Sequence, residues 1–302
     1  TGAVSEPPTY DLDGASYEFH TVIAKYSNHG QELWTKEFGE DGFNVGRGIE
    51  CDESGSAFIT GYFSGEYEFD EKGHTIHLKS NGKADAFVMK LDTEGTIIWA
   101  KNIGGKNTDK AHDIALDSEG NILIAGEFSE KLAVKNEGMD STVTLTGDGF
   151  MSSFVQKLNG DGETIWTRKL ESSQYVITWC LDVDRNDHTF VVGTFSKLVP
   201  EEIKNEQTDS TYCIENNFIY ELDRDNNMVW SSWNGADRID PVNYDRSQLP
   251  PVLNYYDISV GANGSILATG YFQGKCELNI TKRKKATIQA LNSRFFVQKI
   301  SY

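Results

Sequence analysis

The chain has 302 residues, of which 38% are hydrophobic and 12% aromatic, enough apolar side chain for a globular fold of one or two domains. Its formal net charge is −18 at pH 7, with an isoelectric point near 4.7, which argues strongly against nucleic acid or an anionic membrane surface as partner. No stretch reaches the roughly 18–20 apolar residues of a membrane-spanning helix, and the opening TGAVSEPPTY lacks the charged and apolar regions of a signal peptide.

Residues 1–16 read as an N-terminal tail, because Pro7-Pro8 cannot pair within a sheet centre. From Tyr17 onward the apolar residues come in short runs rich in Val, Ile, Phe, Tyr and Trp, bounded by Gly, Asn and Asp. These runs predict strands over 21–26 and 32–38 around the turn Ser27-Asn28-His29-Gly30. A second pair follows, over 48–51 and 57–63, around Glu53-Ser54-Gly55. The stretch 86–126 then holds the whole pattern: a strand ending Lys90-Leu91, a turn at Asp92–Gly95, a strand with Trp99, a loop, a strand over 113–117, a turn at Ser118–Gly120 and a strand closing at Gly126.

The pattern repeats by arithmetic. A charged residue ends a strand at Lys25, Lys90, Lys157, Glu221 and Lys299, and Trp34, Trp99, Trp166 and Trp230 each follow nine residues after the first four. The closing glycines are Gly61, Gly126, Gly193 and Gly270, at steps of 65, 67 and 77, with Phe63, Phe128, Phe195 and Phe272 two residues beyond. Fixed spacing within strands and variable length between them marks a structural repeat. Four antiparallel strands cannot bury both faces alone, so stacking units around an axis predicts an all-β propeller.

IALDSEGNILIAGEFS followed by FVQKLNGDGETIW, together with GYFSGEYEF…SNGKADAFVMKLD, resembles the SBBP-type and NHL-like propeller repeats of bacterial envelope and cell-surface proteins. The resemblance covers residues 17–302, read as one domain, and speaks to fold more than to activity. The third unit departs from it: Asp187 stands for the turn glycine and Glu221 for the lysine. By this analogy the inner strands are 48–52, 113–117, 180–184 and 257–261. Blades then run over 47–104, 111–170 and 176–235, with a fourth from 255 that ends without its outer strand. Segment 31–38 is expected to supply that strand, closing a ring of four to five blades by pairing of N- and C-terminal strands. One strand of first-strand character is left over, so a larger propeller stays open.

Chemistry is expected on the loops that run from one blade to the next. The longest, GADRIDPVNYDRSQLPPVLNYY, reads as a cap or partner surface and carries Arg238 and Tyr255. Aligned on the closing glycine, Arg47, His112, Trp179 and Tyr256 fall at equivalent positions just before each inner strand. A cation, an imidazole and two aromatics there suit a peptide or a sugar; ordinary loop packing is the plainer reading. Catalytic patterns are weak: no HExxH, GxSxG or phosphate-binding loop occurs. His74 and His77 are three apart on a strand and face opposite ways. Asp182–Asp187 starts like a calcium loop but lacks its later Gly and Glu, so a repeat turn is the better reading. Cys51, Cys180, Cys213 and Cys276 show no CxxC spacing; the first two read as buried thiols, and a Cys213–Cys276 bridge rests only on the even count. Lys282–Lys285 reads as a solvated hairpin tip.

The expected function is a non-enzymatic propeller that scaffolds another envelope protein at a bacterial cell surface or periplasm, without cofactor or metal, and with a lipid anchor upstream of the chain left open. The surface location rests on the resemblance alone. A carbohydrate-binding propeller using the same face is the second reading, and a glycoside hydrolase or lyase with convergent carboxylates is the third.

Overall fold

The structure is a computed structural model that describes residues 2–5, 20–38, 44–135, 142–147, 151–170, 175–198, 213–236, 252–261, 264–281 and 284–300. Residue contacts gather into two compact units, residues 1–147 with 153–170, and 148–152 with 171–302. Each is described by itself.

The first unit opens with a three-stranded sheet of β1 (Gly2–Ser5), β2 (Thr21–Tyr26) and β3 (Glu32–Phe38), in that order. Two four-stranded antiparallel sheets follow. Blade 1 is β4 (Asn44–Cys51), β5 (Ala57–Phe63), β8 (Asp85–Leu91) and β9 (Ile97–Ile103). Blade 2 is β10 (Asp109–Leu116), β11 (Ile122–Phe128), β14 (Ser152–Leu158) and β15 (Thr164–Leu170). Each blade carries an inserted two-stranded hairpin between its second and third strands. These are β6 (Glu66–Glu71) with β7 (His74–Lys79), and β12 (Lys131–Lys135) with β13 (Thr142–Thr146). The Lys72-Gly73 tip of the first turns with both residues at positive φ, which suits a tight two-residue hairpin.

The second unit contains blade 3, made of β16 (Tyr175–Val183), β17 (Thr189–Leu198), β18 (Cys213–Leu222) and β19 (Met228–Ala236). Blade 4 is three-stranded: β20 (Val252–Val260), β21 (Ile266–Thr281) and β22 (Lys284–Ile300). Gly235 and Ala236 at the end of β19 pair with Glu277 and Cys276 on the long extension of β21, so strand pairing runs from one blade into the next. Among the described residues the four-stranded antiparallel sheets follow the strand boundaries expected for the repeat closely.

Turn chemistry explains the repeat. In most outer and inner turns an Asp, Asn or Ser opens the turn, and its side chain accepts backbone N–H groups two and four residues on. Asp92 does so from Glu94 and Thr96, Asp117 from Glu119 and Asn121, Asn159 from Asp161 and Glu163. The fourth residue takes a left-handed φ, which costs a glycine little. In blade 3 that residue is Asp187 at φ 63°. The Asp184 carboxylate there accepts the N–H groups of Asn186 and His188, so the calcium-like stretch serves as a repeat turn.

The nine-residue spacing has an equally local cause. Lys25 pairs across the hairpin with Trp34, Lys90 with Trp99, Lys157 with Trp166 and Glu221 with Trp230. In the first unit the lysine and the indole together latch onto the next sheet's turn: Lys25 Nζ and Trp34 Nε1 donate to the Thr93 carbonyl at 2.9 and 3.1 Å, and Lys90 and Trp99 to that of Gly160 at 3.3 and 3.4 Å. Where Glu221 replaces the lysine it accepts from His188 Nδ1 at 2.7 Å.

Several expectations are corrected. Gly2–Ser5 is a strand paired with β2, not tail. Segment 31–38 does not complete blade 4: β3 pairs with β2, because a four-residue turn brings its partner close at little loop-closure cost. Among the described residues β22 pairs only with β21, so no ring closes through those strands. Cys276 is a buried thiol outside any disulfide and donates to the Val252 carbonyl, which removes the Cys213–Cys276 bridge. Cys51 and Cys180 are likewise outside any disulfide; Cys180 is buried as expected, whereas Cys51 is only partly buried.

Candidate functional site

Each blade meets the same steric problem at its closing glycine. A Cβ on Gly126 would sit on the Lys110 carbonyl oxygen and 2.7 Å from the Phe154 ring. Gly61, Gly193 and Gly270 face the carbonyls of Val45, Ile177 and Asn254 and the rings of Phe87, Phe218 and Phe296. The inner strand approaches this closely because it bulges there. The register breaks between Gly46 and Gly48, Ala111 and Asp113, Thr178 and Cys180, and Tyr255 and Asp257. The residue left over in each is Arg47, His112, Trp179 or Tyr256. A bulge frees one residue from the ladder and re-aims its side chain, so the four sequence-predicted residues share one backbone device.

Each bulge residue meets the residue just past the closing glycine, fifteen positions on. Arg47 lies 5.7 Å from the Tyr62 ring centroid, with one guanidinium nitrogen 3.5 Å from its hydroxyl. His112 Nε2 is 3.6 Å from Glu127 Oε2. Trp179 Nε1 donates to Thr194 Oγ1 at 3.2 Å. The Tyr256 ring packs 5.4 Å from that of Tyr271, which accepts from Asn254 at 2.7 Å.

In the first unit two of these pairs join. Lys110 Nζ lies 5.4 Å from the Tyr62 centroid and reaches Glu127 Oε1 at 3.1 Å. Arg47, Tyr62, Lys110, Glu127 and His112 thus form one continuous line of contacts across blades 1 and 2. Burial pushes the Glu127 carboxyl up, but His112 and Lys110 outweigh it and hold its pKa below the ordinary value. In the second unit Tyr256 is 53% exposed, and burial with the neighbouring Tyr271 raises its pKa.

Tyr255 leaves the candidate set. It is fully buried: its hydroxyl donates to Gln298 Oε1 at 2.8 Å and its N–H to Asn217 Oδ1 at 3.1 Å. Arg238, most of the long loop around it, and Lys282–Arg283 lie outside the described residues. Tyr62, Lys110, Glu127 and Tyr271 were not singled out from sequence. The signal that finds all but Lys110 is the position after each closing glycine. His77 Nδ1 lies 3.0 Å from Glu68 on the paired strand, and among the described residues no group of three or more His, Cys, Asp and Glu side chains is placed to hold a metal ion.

Beside this line sit two buried carboxylates. Asp85 accepts from the Asn81 backbone at 2.8 Å and from Asn102 Nδ2 at 3.0 Å. Asp109 accepts from the N–H groups of Gly105 at 2.6 Å and Ser129 at 3.2 Å, and closes the blade-to-blade loop. Desolvation pushes the Asp109 pKa up to about 7, with Asp85 and Glu127 adding like charge. A carboxyl raised in the fold stabilises fully below its unfolded pKa of about 4 and loses that stability as pH rises through 7. The first unit is therefore expected to weaken by up to about 1.4 kcal/mol per pH unit between pH 4 and 7. Asp109→Asn should reduce that slope in denaturant unfolding at pH 5, 6, 7 and 8. Asp117 and Glu127 have lowered pKa values, so their contributions fade only below about pH 4.5, whereas burial also raises the Asp85 pKa, so Asp109→Asn removes part of the slope and leaves the Asp85 share.

Comparison with known proteins supports the repeat. The family described as SBBP, a beta-propeller repeat, matches residues 98–127, which run from β9 through β11 and so straddle two blades. Residues of this chain are 30% identical over 148 positions to an uncharacterized WD repeat-containing protein of Acanthamoeba polyphaga mimivirus, covering 49% of this chain and 11% of that protein. They are 25% identical over 167 positions to the regulatory protein FlaEY of Caulobacter vibrioides, covering 54% and 17%. The chain thus spans a small part of the length of these curated relatives. Among solved structures, a protein of unknown function from Bacteroides caccae aligns over 83% of this chain and 65% of its own, at 10% identity and a TM-score of 0.40. Residues 98–127 match the SBBP beta-propeller repeat, and the strand, turn and glycine spacing of that stretch recurs in the neighbouring four-stranded sheets.

Proposed function

We propose that the protein is a non-enzymatic scaffold that binds another protein through the side chains carried on its inner-strand bulges. One observation carries this reading. Four blades hold the glycine, the bulge and the apposed phenylalanine constant, yet the bulge residue is Arg, His, Trp or Tyr. A repeat that fixes its backbone and varies one re-aimed side chain per blade is built like a recognition surface. Arg, Tyr and Trp are also the residues that anchor protein interfaces. The Arg47–Tyr62–Lys110 cluster offers cationic and aromatic contacts to an acidic or amide-rich peptide. The setting we favour is a bacterial envelope or cell surface, on the strength of the sequence resemblance.

A second reading, sugar binding, draws on the exposed Tyr256 ring, which lies tilted against that of Tyr271, and on Trp179. A hydrolase would need two carboxylates about 5–10 Å apart in one cleft; Asp85, Asp109 and Glu127 are instead engaged by backbone and side-chain donors.

The test is affinity capture from native extract with wild type, with Arg47→Ala/Tyr256→Ala, and with a Lys79→Ala control on the inserted hairpin. A protein retained by wild type and control but lost from the double variant is the expected result. Equal retention by all three contradicts the proposal. A glycan array with Trp179→Ala and Tyr256→Ala separates the sugar reading: specific glycan binding lost in both variants would replace the scaffold.

A further inference from the structure

The junction between blades 1 and 2 lies wholly inside the first unit and holds a cavity of about 250 Å³. The junction before it, between the N-terminal sheet and blade 1, is built on the same repeat and shows where the space comes from. Phe38 and Ile103 each lie four residues beyond a repeat tryptophan, and Ile97 and Thr164 two residues before one. Met89 and Gln156 each precede the repeat lysine, and Phe69 and Val134 stand on the inserted hairpins, six residues beyond Phe63 and Phe128. In the earlier junction Phe38, Met89 and Ile97 are buried in one apolar cluster, and Phe69 packs against it with its ring edge-on to Phe38 at 5.4 Å. In the later junction Ile103, Val134, Gln156 and Thr164 take those places, and all four line the cavity. Three of the exchanges shorten the side chain, and two bring in polar groups.

Those polar groups do not satisfy one another. Gln156 is 2% exposed; its Nε2 donates to Thr164 Oγ1 at 3.1 Å, and its buried Oε1 meets no donor among the described residues. Turning the amide end for end exchanges its two polar atoms and leaves Nε2 unmatched instead. A buried amide atom left in this way costs stability. The equivalent glutamine of blade 4, Gln298, avoids the cost by accepting from the Tyr255 hydroxyl at 2.8 Å. From the blade 1 side Lys101 adds a cation to the cavity lining, and Val88 joins Ile103 in an aliphatic wall.

We propose that this cavity binds a small aliphatic hydroxycarboxylate. The ligand hydroxyl, able to donate or accept, meets the Gln156 amide. Its carboxylate lies towards Lys101, and its aliphatic body rests on Val88, Ile103 and Val134. A cavity of about 250 Å³ takes such a molecule and is too small for most larger ligands. None of the bulge residues lines it, so the site is additional to the proposed scaffold surface and does not depend on that reading.

The probe is 2-hydroxyisovalerate, titrated calorimetrically into the whole protein. Saturable binding at one site per chain is expected. Isovalerate, which lacks the hydroxyl, should bind at least about tenfold more weakly, because it leaves the buried amide unmatched. Val134→Phe/Gln156→Met/Thr164→Ile fills the cavity with the side chains of the earlier junction and should abolish binding. It should melt no lower than wild type, since it removes both the void and the unmatched amide. Gln156→Met alone should weaken binding as far as loss of the ligand hydroxyl does, and it carries the test if the filled variant melts early. Arg47→Ala/Tyr256→Ala should bind as wild type does. A wild type that takes up no 2-hydroxyisovalerate at millimolar concentration overturns the proposal, leaving a cavity that holds water alone. Equal affinity for isovalerate overturns it as well, and so does binding that survives in the filled variant.

Discussion

Replacing Asp117 by alanine is expected to destabilise the first unit by about 3–5 kcal/mol. Its carboxylate accepts from Lys157 Nζ at 2.8 Å, from the N–H groups of Glu119 and Asn121 at 2.9 Å each, and from Asn121 Nδ2 at 2.9 Å. Both charged side chains are buried. Burial alone would raise the Asp117 pKa, but Lys157 and Asn121 outweigh it and hold it low. Alanine removes the turn acceptor and strands a buried ammonium, which is the costly half of breaking an ion pair. The turn and charge effects can be separated. Asn159 shows that an asparagine carbonyl serves the same turn. Asp117→Asn/Lys157→Met should therefore recover to within about 1 kcal/mol of wild type, since a buried pair replaced by neutral side chains of similar size is close to neutral. Urea unfolding of the three proteins at pH 7 checks this. A double variant as weak as Asp117→Ala would show that the charge pair, not the stranded lysine, holds the blade.

The second large effect is expected at Gly126. Its Cβ would meet the Lys110 carbonyl oxygen and the Phe154 ring, and neither can yield. The carbonyl belongs to the bulged inner strand and the ring to a fully buried core residue. Gly126→Ala is expected to cost about 3 kcal/mol, at the upper end of overpacking. Gly120→Ala makes a useful contrast, because nothing lies within 4 Å of its Cβ but its φ is +76°. Its cost is conformational, about 1–2 kcal/mol. Comparable losses at the two sites would mean that the bulge relaxes away from the new methyl.

Much of the fold was legible because its cues are local. The Lys-to-Trp spacing of nine is the distance across one four-residue turn and its bulge, and the DxxG turns announce themselves through an oxygen at the first position and a left-handed fourth. Blade boundaries follow from these. What was not legible depends on competition between distant partners. β3 carries the same Trp pattern whether it pairs with β2 or completes blade 4, and only proximity decides. The candidate site was half legible. Alignment on glycine found the four bulge residues, since the bulge sits opposite that glycine. It could not separate Tyr255 from Tyr256. A bulge breaks the two-residue period, and so one tyrosine enters the core while its neighbour faces solvent. The partners Tyr62, Glu127, Thr194 and Tyr271 share no single residue type, so composition could not flag them.

The central claim is that the bulge carries recognition while the glycine opposite it carries the fold. Equilibrium unfolding of Arg47→Ala and Tyr256→Ala beside Gly61→Ala and Gly270→Ala, paired within blades 1 and 4, tests it most directly. The bulge variants are expected to stay within about 0.5 kcal/mol of wild type, and the glycine variants to lose about 3 kcal/mol. Bulge variants that lose as much as their glycine counterparts would contradict it, by showing that Arg47 and Tyr256 are there to hold the blades together.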